Sequence, residues 1–325
     1  RAQPTPYTFA IATRMQHPFS RRTFLALTLG GLGCGAAARD TPVAEGPAPE
    51  PPKPKDAAQI ATALVGGKVS GLVWVDRVRP HAVGRKLLAL GPAKELLEGT
   101  SVDPLQDLER VFVTGPSAHD ARVVFFGEHS IAPARLDQVI RDLVAKSDPP
   151  GQVLADQPFP AVRVQKKRFS GVVAFLEPRF VVAVPEDLVG ALGSFAKTGG
   201  LPDPAGPEAA HLTAIDPGRT LRARGAPRVP DTISHGNATV ILNRDGGVTV
   251  DAVGQSASAE QAPDDARQLT KNIDNATSVN LGIVRIRAFR PVVFAPRGDQ
   301  IVSKVDLSRA EVDQLLGLAS TFLSK

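Results

Sequence analysis

From residue 110 onward, short runs of β-branched and aromatic residues come in pairs, and each pair precedes a stretch of helical period. Apolar runs of this length, bounded by turn residues, bury as strands, and two joined by a short turn close antiparallel. A following helix with one apolar stripe must bury that stripe against the pair. The pattern predicts an α+β fold: antiparallel sheet built from repeated strand-strand-helix units, with the helices packed on one face.

The units can be placed by residue. Strands over 110–114 and 122–126 precede a helix over 134–146, on which Leu136, Val139, Ile140, Leu143 and Val144 fall on one side. Strands over 171–176 and 180–184 flank Glu177-Pro178-Arg179, and Pro185 then opens a helix carrying Leu188, Val189, Leu192 and Phe195. A third pair, 238–242 and 248–253, is joined through Asp245-Gly246, a strong hairpin signal, and leads to a weaker helix over 263–277 using Ala266, Leu269 and Ile273. The last unit has strands over 283–288, 292–294 and 301–305. Ser308 and Glu311 then form a capping box for a helix bearing Val312, Leu315, Leu316, Ala319 and Phe322.

Upstream, Asp56 reads as the N-cap of a helix over 57–65 stopped by Gly66-Gly67, followed by a strand over 70–75 and a helical stretch over 82–90. Residues 199–230 are rich in Pro and Gly and read as a long surface crossing with one strand near 211–215. Repetition of the unit suggests an internal duplication within a 56–325 domain, broken near 148–160 or 199–230.

Composition limits what holds this domain together and what it binds. Cys34 is the single cysteine, so an intrachain disulfide and a cysteine-based metal site are both excluded. The formal charge is +5, but residues 1–34 hold four arginines and no acid, leaving 34 basic against 33 acidic side chains in the rest. That balance gives no basic face for nucleic acid. Residues 39–55 form a linker: six prolines lie between Thr41 and Lys55 among small and charged residues. Such a segment cannot bury a core and favours extended polyproline II, with a reach on the order of 45 Å.

Ahead of the linker, Ser20-Arg21-Arg22-Thr23-Phe24-Leu25 precedes a short apolar run ending at Cys34. Paired arginines before an apolar core too short to span a bilayer read as an export signal. The run resembles twin-arginine signals, matching at Ser20, Arg21, Arg22, Phe24 and Leu25 and departing at Ala26, where those signals carry Lys. Such signals are addresses read by a receptor. Gly33-Cys34 resembles the end of a lipobox, which implies acylation of Cys34, although Gly31 stands where a Leu is usual. Ala36-Ala37-Ala38 offers a competing cleavage site that would discard Cys34. Residues 1–38 are therefore assigned to the signal peptide, with 1–14, ahead of Met15, as an upstream extension. Residues 102–113, with Asp103-Pro104-Leu105-Gln106-Asp107-Leu108-Glu109-Arg110-Val111, resemble a run in envelope proteins of myxobacteria and their relatives. That resemblance implies an envelope location and supplies no catalytic residues.

Reactive side chains are sparse. Glu128-His129-Ser130 is the best cluster, yet neighbours on an extended chain point to opposite faces. His81, His119, His211 and His235 lack metal-ligand spacing, and Gly30, Gly31, Gly33 and Gly35 sit in the signal without the strand and helix a phosphate loop needs. No catalytic, cofactor or metal residue is assigned. The expectation is an exported, lipid-anchored envelope protein of the periplasm or outer membrane that binds an apolar ligand or a protein partner without catalysis. The alternative is a periplasmic hydrolase with a site assembled from distant residues.

Overall fold

A computed structural model describes residues 56–84, 86, 96–166, 169–222, 227–281, 284–287 and 290–323. Helix α1 (Ala57–Val65) starts where sequence chemistry places it. The Asp56 Oδ1 accepts from the Gln59 amide at 2.7 Å, and Gly66 ends the helix at a φ of 59°, a left-handed conformation that favours glycine. Strand β1 (Val69–Trp74) runs directly into the short helix α2 (Val75–Val78). After α3 (Pro104–Asp107) come β2 (Leu108–Gly115), β3 (Val124–His129) and α4 (Pro133–Ala145). Strands β4 (Gln152–Val153), β5 (Ala161–Gln165), β6 (Ser170–Leu176) and β7 (Phe180–Pro185) follow, then a 3-10 segment (Glu186–Ala191) and α5 (Leu192–Phe195).

The second half has β8 (Glu208–Ile215), α6 (Pro217–Thr220), β9 (Ile233–Leu242), β10 (Val248–Ser256) and α7 (Ala262–Ala276). It closes with β11 (Ser278–Leu281), β12 (Val284–Arg287), β13 (Ala295–Arg297), β14 (Gln300–Leu307) and α8 (Arg309–Leu323). The capping box forms: Glu311 accepts from the Ser308 amide at 2.9 Å and from its hydroxyl at 2.7 Å.

Among the described residues, twelve strands make one antiparallel sheet in the order β13-β14-β10-β9-β8-β1-β2-β3-β7-β6-β5-β4, and β11 and β12 pair separately. The order is mirrored about the β1–β8 contact. On each side three successive strands lie in sequence, a helix follows, and a later strand returns beside the third. Segment 199–230 is therefore more than a surface crossing, since β8 occupies the middle of the sheet, where its β1 register runs from Val69↔Ala214 to Val73↔Ala210. The sequence pattern also passes over β5, whose Ala161, Val162 and Val164 are buried while Arg163 and Gln165 are exposed.

Cross-strand partners share a face, so the register sorts the core into layers. Val111, Phe125, Val181 and Val173 face α4, where Val139 and Leu143 are fully buried. Their neighbours Phe112, Phe126, Val182 and Val172 face the other way, against Ala57 and Ala61 of α1 and Leu192 and Phe195 of α5. Helices thus cover both faces of the first half, where the sequence pattern implied one. The reason is visible in β6 and β7: every residue from Gly171 to Leu176 and from Phe180 to Pro185 is buried, which requires cover on both sides. In the second half the clusters under α7 (Ala266 and Leu269 against Ile301) and α8 (Val312 against Val248 and Leu307) draw on the α4 face alone. Among the described residues no helix is long and apolar enough to cross a membrane.

Three smaller differences concern local chemistry. Residues 186–191 wind as a 3-10 segment rather than an α-helix, with both Gly190 and Gly193 lowering helix propensity nearby. The second strand expected in the last unit forms at Ala295–Arg297, after Pro291 and Val292, and not over 292–294. The helical stretch expected over 82–90 lies largely outside the described residues.

Candidate functional site

Among the described residues, no helix packs on the α1 face of the sheet's second half. Register across β1, β8, β9, β10 and β14 sets Leu72, His211, Thr239, Asp251 and Lys304 in one row, and Ser70, Thr213, Asn237, Val253 and Val302 in the next. A third row holds Ile215, His235, Gln255 and Gln300. His235, Asn237 and Lys304 are exposed, and Ile215 and Val253 expose 39% and 37% of their surface. Alternation explains how one strand serves two environments: the other side of β9 and β10 presents Ala238, Val240, Val248 and Val250.

At the boundary between covered and bare halves, α1 stands above the sheet like a wall. The groove along it encloses about 500 Å³ and opens broadly to solvent. Thr62 and Ala63 form its helical side, Leu72 and Phe112 its floor, and His211 and Thr213 its far side. The Ser70 and Thr213 hydroxyls bond each other across the β1–β8 junction. Pro202 closes one end through a pinned loop. Trp74 Nε1 donates to the Pro202 carbonyl at 3.1 Å, the Leu201 amide donates to Glu128 Oε1 at 2.6 Å, and Arg110 Nη1 donates to the Leu201 carbonyl at 2.7 Å. Gly200 is required there. Its φ is 85°, its carbonyl accepts from the Ala57 amide at 3.0 Å, and a Cβ would collide with Glu128 Oε1.

A second cleft, of about 420 Å³, lies at the ends of β1, β2 and β3 beside Asp76, Arg79, Glu109, Arg110 and Ser130. Its charged groups are mostly committed to the fold. Arg79 donates to the carbonyls of Leu105 (2.8 Å) and Leu108 (3.2 Å), Arg110 bonds Asp203, and Glu109 pairs with Arg179 at 3.5 Å. Next to it, Asp107 sits almost buried and accepts both Arg135 Nη1 (2.8 Å) and Nη2 (3.1 Å), with the Asp103 amide at 2.8 Å. Burial alone would raise its carboxyl, but the Arg135 bonds and the Asp103 amide outweigh that and hold it below the usual value.

Glu128, His129 and Ser130 do not converge. Glu128 turns to the α1 face to hold Leu201, and its side chain lies 3.5 Å from Arg110. His129 turns to the α4 face, where its Nδ1 accepts from the Ile131 amide at 3.2 Å and its ring meets Phe175 edge-on. Burial, helped by Arg179, pushes its pKa down, so the ring is neutral at physiological pH. The Ser130 hydroxyl donates to the Asp107 carbonyl at 3.4 Å.

Among the described histidines, His81 bonds the Asn243 carbonyl at 3.2 Å, and only His211 lines the groove. Among the described residues no group of three His, Cys, Asp or Glu side chains could hold a metal ion. The export residues Ser20, Arg21, Arg22, Phe24 and Leu25, and Cys34, lie outside the described residues. The groove was missed from sequence because its lining comes from α1, β1, β2, β8 and the loop at 202. The one available signal was α1 itself, Ala-Ala-Gln-Ile-Ala-Thr-Ala-Leu-Val, which has no charged residue to turn toward water.

Comparison with protein families, curated proteins and solved structures finds no match for this chain.

Proposed function

We propose that the chain is exported by the twin-arginine route, anchored through acylated Cys34, and held off the membrane by its Pro-rich linker as a non-catalytic binding protein of the cell envelope. The observation that carries the binding reading is the groove beside α1. Its floor is apolar and its one carboxylate, Asp56, caps α1; it opens onto a bare sheet face, where Asp251 and Lys304 pair with each other at 3.7 Å. A surface of this chemistry suits an uncharged partner surface or an apolar ligand, since neither buries an unpaired charge. It gives no support to nucleic-acid binding, which needs clustered cations. The mirrored strand order further supports reading 56–325 as a duplicated unit broken after α5, within 199–230.

The local cluster Glu128, His129 and Ser130 lends no support to a hydrolase, since each serves the fold and they point apart; the alternative of a site assembled from distant residues would rest on other groups. Two sets of variants of the full chain test the proposal. Replacing Arg21 and Arg22 by Lys is expected to leave the protein in the cytoplasm, and Cys34→Ala to move exported protein from the membrane to the soluble fraction. A photo-crosslinking residue at Ala63 is expected to capture a partner in the envelope, while one at exposed His119 captures none. Export that survives both lysines would sink the targeting reading, and equal labelling at both positions would sink the docking one.

A further inference from the structure

The α1 face has a stepped profile. Over the first half it is raised by one layer of helix, α1 with the 3-10 segment and α5, and over the second half no described residue outside the sheet is packed on it. A helix layer packed on a sheet adds roughly 10 Å, the spacing of packed secondary-structure layers. Rotate a second copy by 180° about an axis lying in the interface, along the strands at the step. The raised half of each copy then falls over the bare half of the other, and the two steps interlock. Few surfaces are complementary to themselves in this way, and self-complementarity is what an isologous two-fold interface requires.

The chemistry matches the shape. Helix α1 has no charged residue, and its outer side presents Gln59 and Ala63 exposed, with Ala58, Ile60 and Thr62 partly so. A surface helix normally turns a charged face to water, and one uncharged all round is normally covered. The surface that α1 would meet is largely uncharged: Thr239, Asn237, Val253 and Val302 lie in the central rows, the Asp251–Lys304 pair is already balanced, and Asp306, at the end of the face, accepts from the Thr249 hydroxyl. A contact centred on the Asn237 and Thr239 rows leaves Asp306 at its rim, in water, and buries no isolated charge.

Size is sufficient as well. Four strands, β8, β9, β10 and β14, each about eight residues long, present roughly 500 Å² at about 4.8 Å between strands and 3.4 Å per residue. Each copy would contribute that bare face and a matching raised half, on the order of 1,000 Å², against about 800 Å² per partner in a standard stable interface. Strand addition offers no competing route: the sheet ends in β4, only two residues long, and in β13, which contains Pro296.

We infer that the occupant of this face is a second copy of the same chain, forming a two-fold dimer in which α1 of each protomer packs on the bare β8-β9-β10-β14 surface of the other. The inference rests on reading this face as a docking surface and names the partner. Light scattering on the full chain, purified in a mild detergent with the anchor intact and again as Cys34→Ala, is expected to give the dimer mass in both forms. Ala63→Arg and Asn237→Arg, each at an exposed position that leaves the core untouched, are each expected to give monomer with unchanged circular dichroism. Ala63→Glu mixed with Asn237→Arg is expected to restore dimer, through opposite charges brought together across the interface.

A monomeric parent chain at concentrations up to about 100 μM would overturn the dimer, as would variants that stay dimeric. Capture of a different protein at position 63 by a monomeric parent would overturn the dimer while leaving the docking reading intact. No capture of any kind would remove both.

Discussion

Phe126→Ala is the substitution that best tests whether the α1 face of the first half is a true core. Phe126 is fully buried on β3, opposite Phe112 on β2 and Val182 on β7, and its ring lies 5.0 Å from Phe180 and 5.6 Å from Phe195. Truncating a buried Phe costs about 3–5 kcal/mol through lost transfer energy and the cavity left behind. Two ring contacts sit in the upper part of that range, since each aromatic pair adds about 0.5–1.5 kcal/mol beyond burial. Collapse is restrained because Phe126 is enclosed by strands on both sides and by α5 above, so the site closes poorly. Against a typical stability of about 5–15 kcal/mol, a loss near 4 kcal/mol is large.

Trp74, the only tryptophan, is buried in the same cluster, so its fluorescence in a urea titration reports the transition. The midpoint of Phe126→Ala is expected to fall steeply with the slope preserved. Leu212→Ala, at a position 46% exposed, is the control and is expected to cost under about 1 kcal/mol. A loss below about 1 kcal/mol for Phe126→Ala, or equal losses for the two variants, would refute the two-sided core.

Gly200→Ala is expected to destabilise by about 1–2 kcal/mol through its left-handed conformation alone, and to shift the Trp74 emission as the Pro202 loop leaves Glu128; an unchanged spectrum would refute the pinned-loop account. Ser308→Ala, which removes the N-cap of α8, should cost about 1 kcal/mol in the same urea assay. The pH dependence of folding should carry two signatures. His129 has a folded pKa below its ordinary 6.5, so stability is expected to fall as pH drops from about 6.5 toward that lower value, and His129→Gln should flatten this slope. Asp107 is also held below its ordinary 3.8, so its contribution is complete above that value and is lost as pH falls through the folded pKa; Asp107→Asn should remove that acidic limb.

Much of the local structure was legible because it rests on chemistry within a few residues. Asp56 and Gly66 bound α1, Asp245-Gly246 turns the β9–β10 hairpin, and Ser308 with Glu311 caps α8. The stripe on α4 likewise marks its buried side, Val139 and Leu143. What escaped was set by distant partners. Residues 208–215 look like an ordinary polar strand in a Pro-rich stretch, and only pairing with β1 makes β8 the joint between the two halves.

The sequence by itself determined α1, α4 and α8, the antiparallel pairing of strands joined by short turns, and the neutrality of the chain beyond residue 34, since periodicity, capping and charge are properties of neighbouring residues or of simple counts. Tertiary structure alone decided which faces are covered. Strand alternation offers two sides, and whether each meets a helix or solvent depends on where α1, α5, α7 and α8 pack. The groove beside α1 and the bare face next to it exist because the first half has helices on both sides and the second on one, a difference made by packing over 150 residues of separation and not by any local pattern.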